Sequence, residues 1–398
     1  MKILQLCNKP PYPPVDGGTL AMNSITQGLL AAGHEVRVLS VCSDKHPVRD
    51  HEMTDEYRQQ ARFDAVYVDL GVHVLDAFVA MMCGEAYHVK RFESADFAAR
   101  LRRVLEEEEY DIVHLESVFL TPYVPLIRKY SHAKVVLRAH NVEHRIWRHI
   151  AAGTKNPFKA WYLKHLSLTL GAYEREHCND YDAIACITPE DAQFFKDAGC
   201  RKRVADIPFA INPEPLGHVD VEANTLFHIG SMDWMPNQEG VRWFLEKVWP
   251  KVHEAVPEVR LYLAGRKMPD DLMHLEQEGV QVVGEVADAM YFIGSKQINV
   301  VPLLSGSGIR VKIIEAMSAG KTVISTTIGA AGIAYTEGKD ILLADTPEQF
   351  AQQIRRCVDD PDYAAAVGAN AYRLIATEYS QDRLTKRLID LYEQILNK

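Results

Sequence analysis

The feature that most narrows what this chain can become is an alternation that runs through it twice. Short, apolar, β-branched runs alternate with longer stretches of helical periodicity. In the first half the runs are Ile3–Cys7, Val36–Val41, Ala65–Asp69, Ile112–Glu116, Lys134–Ala139 and Ala183–Ile187. In the second they are Leu226–Ile229, Arg260–Ala264, Val280–Val283, Ile298–Pro302, Thr322–Ser325 and Ile341–Leu343. Helical patterns lie between most of them, among them Leu20–Ala32, Ala95–Glu108, Gly240–Val252, Ile309–Ala319 and Pro347–Val358. The runs are nearly continuous rather than alternately polar, so both faces of each strand must be covered. That is the condition of a parallel sheet between layers of helices. Two such series in tandem predict two doubly wound α/β domains, and 398 residues exceed what one ordinary core serves. The join falls near Ile207–Leu216 (IPFAINPEPL), where prolines replace periodicity. The domains expected are 1–207 and 216–378. A last helix at 379–398 carries Leu384, Leu388, Leu391 and Ile395 on one stripe.

Composition removes several classes of function. With 47% apolar and 25% charged residues the chain reads as an ordinary globular protein. No apolar run of about 18 residues occurs, so no membrane span is expected. The apolar run before Asn8 and Pro10 is too short for a secretion leader. A formal charge of −10 argues against nucleic acid as a partner. Seven scattered cysteines with no C-x-x-C spacing fit a reduced, cytoplasmic protein with packing thiols.

Ser305–Gly320 (SGSGIRVKIIEAMSAG) raises the question of function. It follows a buried-type strand, and in doubly wound sheets ligands bind at the carboxyl ends of strands. Glycines there let a ligand approach the backbone, and the helix N-terminus favours an anion. Two cations, Arg310 and Lys312, stand where the helix dipole disfavours them. Counting from Gly308, Lys312 and Glu315 share one face, the carboxylate about 10 Å beyond the loop at ~1.5 Å per residue. A nucleoside diphosphate matches that order. Its phosphates would lie on the loop with Arg310 or Lys312, and its ribose hydroxyls would meet Glu315. A solvated helix start with incidental cations accounts for the same residues.

The other half offers counterparts. Asn8–Gly18 (NKPPYPPVDGG) leads from the first strand to a helix beginning near Gly17 and Gly18, without a P-loop or the dinucleotide fingerprint. An ordinary tight turn is the bland alternative. Val135–His144 (VVLRAHNVEH) delivers His140, Asn141 and Glu143 to a strand's carboxyl end, and Ile112–Glu116 does so with Glu116. Asp180-Tyr181-Asp182 precedes its strand, at the wrong end of the sheet for a metal-binding D-x-D pair.

Together these segments resemble glycosyltransferase family 4. The resemblance rests on Gly17-Gly18, Ala32–Val36 (AGHEV), Asp111–Glu116 (DIVHLE), Leu226–Phe244 (LFHIGSMDWMPNQEGVRWF), Leu261–Arg266 (LYLAGR) and, most specifically, Ile309–Ser325 (IRVKIIEAMSAGKTVIS). It implies a GT-B fold: two Rossmann-like domains facing a central cleft, the last helix crossing back to the N-terminal domain. It implies transfer of a hexosyl-type sugar, with retention, from a nucleotide-diphosphate sugar to a glycan or lipid-linked acceptor in cell-envelope polysaccharide or glycoconjugate synthesis, without a cofactor or metal. Carried over by position, Gly18 approaches the diphosphate, His140 stands near the transferred sugar and Glu315 takes the ribose. Two departures show. Ser307 replaces a glutamate common in the family, and the Gly230–Asn237 loop lacks its basic pair, a charge Arg310, Lys312 and Arg266 could supply. Ile309, Gly308 and Ser307 complete the donor loop. Met232, Asn237, Glu116, Asn141 and Glu143 are further cleft candidates. A nucleotide-sugar epimerase and a non-catalytic nucleotide-sugar-binding protein are the competing readings.

Residues 145–165 carry Arg145, Arg148, Lys155, Lys159 and Lys164 with no acid, interleaved with Trp147, Phe158, Trp161 and Tyr162. On an acidic protein that composition fits a patch facing the inner surface of a membrane. A solvated helix face whose aromatics belong to the core fits it too.

Overall fold

The computed structural model describes residues 1–154, 156–210, 219–306 and 309–397. The chain forms two compact units. The first takes residues up to Ala210 and everything from Gln381 onward; the second is the stretch between, to Ser380.

The first unit holds a parallel sheet of β1 (Lys2–Cys7), β2 (Glu35–Cys42), β3 (Asp64–Tyr67), β4 (Ile112–Leu115), β5 (Lys134–Ala139), β6 (Ala183–Cys186) and β7 (Arg203–Asp206). Their order is β3-β2-β1-β4-β5-β6-β7. The second holds β8 (Thr225–Ile229), β9 (Arg260–Ala264), β10 (Val280–Gly284), β11 (Ile298–Val301), β12 (Thr322–Ser325) and β13 (Leu342–Leu343), ordered β10-β9-β8-β11-β12-β13 and also parallel. In both sheets the first strand lies between the second and the fourth, so the chain reverses its direction of winding there. The crevice at the carboxyl ends of β1 and β4, and of β8 and β11, is where this topology places a ligand.

All twelve apolar runs became strands. β7 had no counterpart in the reading: it is an edge strand whose Arg203 and Asp206 break the apolar run, and its residues are at least partly exposed. The central strands β4, β6, β11 and β12 are buried at every position, as layers on both faces demand. Helix starts follow local chemistry. The helix Pro347–Asp359 is opened by Thr346, whose hydroxyl accepts the Gln349 N–H while Gln349 reaches back, with proline in the first turn.

The helices that position the sites are α1 (Gly17–Ala31), α2 (Val74–Cys83), α3 (Glu143–Gly153), α4 (Pro157–Glu176), α5 (Met235–Trp243), α6 (Val311–Ser318) and α7 (Gln381–Leu396). Helix α7 packs on the first unit. Leu384, Leu388, Leu391 and Ile395 join Ile3, Met22, Ile25 and Leu29 in one cluster. Each such side chain removed from water contributes roughly 1.5–3 kcal/mol. Gln381 and Ser24 exchange hydrogen bonds at 2.8 and 2.7 Å, and Arg387 pairs with Asp206 at 2.9 Å. Among the described residues no helix is long and apolar enough to cross a membrane. All seven thiols are free.

Candidate functional site

In the second unit, polar groups gather around Lys312 at the switch between β8 and β11. Helix α6 begins at Val311, two residues later than the sequence suggests, so Arg310 occupies its N-cap and Lys312 its second helical position. The Lys312 ammonium donates to Asn237 Oδ1 at 2.5 Å and lies 3.3 Å from His228 Nε2. Both partners are fixed in turn. Asn237, 3% exposed and on α5, donates from Nδ2 to the Ser231 carbonyl at 2.7 Å. His228, 1% exposed and on β8, turns Nδ1 to the Val300 carbonyl of β11 at 2.9 Å. That hydrogen bond puts the proton on Nδ1 and leaves Nε2 as an acceptor for the lysine. Burial and then the neighbouring Lys312 hold the imidazole well below its ordinary pKa. Burial, then Arg310, pulls Lys312 down to about 7, with Glu315 pulling the other way.

The backbone is shaped to allow this convergence. Gly265 has φ +147°, and a Cβ there would fall 1.8 Å from the Gly230 carbonyl, so only glycine lets these two loops meet. Gly306 has φ +128° and lies against the Arg310 guanidinium. Arg310 is 5% exposed and stacks over Trp234 with 5.3 Å between guanidinium carbon and ring centre. Burial lowers it to about 10. Glu315 is half-buried one turn beyond Lys312. Its carboxylate has no hydrogen-bond partner among the described residues, and burial raises its pKa against the pull of Lys312.

The remaining sequence candidates of this unit fall in three groups. Arg266 is exposed on the loop after β9, where its carbonyl accepts the Met232 N–H at 2.9 Å, and Ile309 is half-buried. Met232 corrects the reading: it is 0% exposed and packs in the second core, so its side chain is a wedge under the loop rather than a ligand contact. Ser307 and Gly308 lie outside the described residues.

In the first unit the buried centre is Glu116, 0% exposed just after β4. Its Oε2 is 2.9 Å from His140 Nε2; its Oε1 accepts from Gln5 Nε2 at 2.6 Å and lies 3.4 Å from His114 Nε2. Burial would raise its pKa, but the two histidines outweigh burial and hold the carboxyl well below its usual range. His140 is lowered by burial, with Glu116 opposing. Glu143 opens α3, where the Glu174 carboxylate of α4 accepts the N–H groups of Glu143 and His144 at 2.7 and 3.2 Å. Burial and then Glu174 lift Glu143 to about 8, with Asn141 opposing and Asp191 adding. Gly17 and Gly18 form the first turn of α1, but that turn already holds a carboxylate. Asp16 caps Thr19 N–H at 2.9 Å and pairs with Lys9 at 2.7 Å. An anion at Gly18 would therefore compete with the chain's own Asp16. Asp182 accepts the Val135 N–H at 2.7 Å, a structural task.

His228, Gln5, His114, Glu174 and Tyr392 escaped the sequence reading as site residues. Each carries one usable signal: a polar group inside an otherwise apolar run or stripe, which must find a partner when buried.

Comparison with known proteins adds the following. A family model described as "Glycosyl transferase 4-like domain" matches residues 16–210, and one described as "Glycosyl transferases group 1" matches residues 223–360. An "Uncharacterized 44.6 kDa protein in cps region" of Klebsiella pneumoniae is 22% identical over 395 residues, covering 96% of this chain and 97% of its own. The sucrose-phosphate synthase of Thermosynechococcus elongatus superposes with a TM-score of 0.71 at 15% identity, covering 100% of both chains. Anabaena Alr3699/HepE in complex with UDP gives 0.68 at 14% identity, covering 99% of this chain and 100% of that one. At such identities the structural likeness speaks for the fold. The family models add the activity, and between them they take in most of both units. The chain is a glycosyltransferase of the GT-B fold and belongs to glycosyltransferase family 4.

Proposed function

We propose that this enzyme takes a nucleoside-diphosphate sugar on its second unit and transfers the sugar, with retention, to a glycan or lipid-linked acceptor in the synthesis of a cell-envelope polysaccharide. The carrying observation is Lys312. An ammonium has three donors, and Asn237 and His228 engage two of them. The third is left for an anion at the carboxyl end of β8 and β11. As the bond from anomeric carbon to phosphate breaks, charge grows on the leaving diphosphate. Lys312 and Arg310 stabilise it there. The two Glu315 oxygens accept the ribose hydroxyls, and on the first unit His140 is the residue proposed to bind a sugar hydroxyl. In this reading the fixed cations do the work a divalent ion would do, so a chelator leaves turnover unchanged. Two relatives support it: HepE has been crystallised with UDP and with UDP-glucose, and the Klebsiella relative lies in a cps region.

A thermal-shift panel of nucleotides and nucleotide sugars tests the donor. A ligand that binds only the folded state raises the melting temperature. Glu315→Ala should weaken the best nucleotide about tenfold to a hundredfold, as expected for losing hydrogen bonds to a charged group. A wild-type protein that no nucleoside diphosphate stabilises would remove the reading.

The acceptor is proposed to lie at an anionic membrane surface, and the structure changes which residues would meet it. Arg145 is engaged by Asp191 at 3.5 Å and by Phe194, Trp147 stacks on His88, and Tyr162 packs inward. Lys155 lies outside the described residues. Phe158 is 83% exposed, and Trp161, Arg148, Lys159 and Lys164 are exposed beside it. Helix α2 extends the surface inside out. Ala77 and Ala80 face the protein against Ala151, Leu163 and Leu166, while Leu75 (80% exposed), Phe78, Val79 and Met82 face water. Apolar residues of that size beside cations fit an interfacial helix. Flotation with vesicles containing anionic lipid should recover the wild type and lose the Leu75→Glu/Phe78→Glu variant. Equal recovery of the two would end the idea.

A further inference from the structure

One face of the first sheet carries a row of buried polar side chains. Gln5 on β1 and His114 on β4 are register partners, and Glu116 follows two residues on. Arg138 and His140 stand at the end of β5. Strand alternation puts His114 and Glu116 on one side, and Arg138 and His140 likewise. It is the side on which Ile112 and Val136 pack with α1 and α7. From α7 comes Tyr392, 0% exposed, whose hydroxyl is 2.7 Å from His114 Nδ1.

Each proton in this row has one consistent place. A carboxylate only accepts, so the Glu116 oxygens require a proton on every nitrogen that faces them. Gln5 presents its amide NH2, because its other neighbours also dictate that orientation: Nε2 donates to the Met22 carbonyl at 3.1 Å and Oε1 accepts from the Thr26 hydroxyl at 2.7 Å. His114 Nε2 lies 3.4 Å from Glu116 Oε1 without the alignment of a hydrogen bond, yet the carboxylate's charge favours a proton over a lone pair there, which leaves Nδ1 to accept from the Tyr392 hydroxyl. His140 must carry its proton on Nε2 as well. Its Nδ1 then has a bare lone pair and no partner among the described residues, on a side chain that keeps 16% of its surface exposed. Arg138, buried beside Glu116 and tied to the carbonyls of Ile207 and Pro208, balances the one negative charge.

We propose that Glu116, backed by His114 and by Tyr392 of the last helix, is a positioning relay that locks His140 in its Nε2–H form, so that Nδ1 serves as the acceptor for a sugar hydroxyl. The hydroxyl rests on the donor reading above; the lock does not. Tyr392 thereby steadies His114 beside the carboxylate that fixes His140. The ring nitrogen at this edge takes a hydrogen bond from the sugar rather than giving one.

Imidazole 15N spectra of the uniformly labelled, full-length enzyme at pH 7.5 test the lock without any substrate, with His140 and His114 assigned by substitution. Both residues should show a protonated Nε2 and a bare Nδ1. In Glu116→Gln the new amide brings a donor pair among nitrogens that were all donors, so the fixed His140 signature should be lost. In Tyr392→Phe the His114 signature should be lost while the fold, judged by melting, survives. A charged or Nδ1–H His140 in the wild type overturns the proposal. So does an unchanged His140 in Glu116→Gln or an unchanged His114 in Tyr392→Phe. Nucleotide affinity is the control for the donor reading: it should be the same in Glu116→Gln as in the wild type, while sugar transfer falls about tenfold to a hundredfold. A locked His140 in a protein that binds no nucleotide would sink the donor reading and leave the relay standing.

Discussion

The two switch points are built on opposite charges. In the second unit a cation, Lys312, is held by two neutral groups, Asn237 and His228. In the first an anion, Glu116, is hydrogen-bonded by Gln5 and His140, with His114 Nε2 3.4 Å away. The difference lies in what each leaves over. Neutral partners do not cancel the lysine's charge, so its remaining donor still attracts an anion, and the cost appears as a pKa near 7. The glutamate's charge is spent on its own neighbours, so that site offers a shaped, neutral acceptor. One centre is suited to binding charge, the other to orienting hydroxyls.

The largest effect should come from removing the cation. Lys312→Met keeps the length of the chain and should cut turnover by about a hundredfold to a thousandfold, the range for losing one preorganised stabiliser of a leaving anion. A loss no greater than that of Glu116→Gln would blur the contrast between the sites. Next is pH. An anion binds the ammonium and lifts its pKa above the free value of about 7. Nucleotide affinity should therefore be level just below that value and fall as pH rises beyond it, by up to about tenfold per unit until the bound-state pKa is reached. Calorimetric titration from pH 7 to 9 reads this slope, and Lys312→Met should flatten it. The smallest effect concerns Glu143. Its folded pKa of about 8 lies above its ordinary carboxylate value, so the folded state holds an extra proton in between. Stability should then fall as pH rises from 5 toward 8, and Glu143→Gln should make melting temperature less steep over that window.

How much of this could be read beforehand depends on whether the signal was local. The alternating runs disclosed both sheets because burial on two faces is written in each strand separately. The stripe of α7 showed that it packs, but a stripe does not say against what. Its partners Ile3 and Met22 lie at the other end of the sequence. Lys312 and Asn237 were both legible as candidates, yet the bond between them spans 75 positions and follows from strand order. Met232 was misplaced because a loop beside a ligand site also needs an anchor, and one-letter spacing does not separate the two. Glu116 and His140 were each legible as groups at strand ends. That they form one unit with Tyr392 depended on which helix covers that face.

The return of α7 bears on how the protein is made. The contiguous stretch up to Ser380 can complete its own core while the chain is still emerging from the ribosome. The first unit cannot: Leu388, Leu391 and Ile395 belong to the cluster that contains Ile3. The strand that carries Ile3 must wait, with apolar surface uncovered, until the helix that carries Leu388 and Ile395 has been translated. Any shortening that removes α7 should therefore yield an insoluble or chaperone-bound product, not merely a slower enzyme.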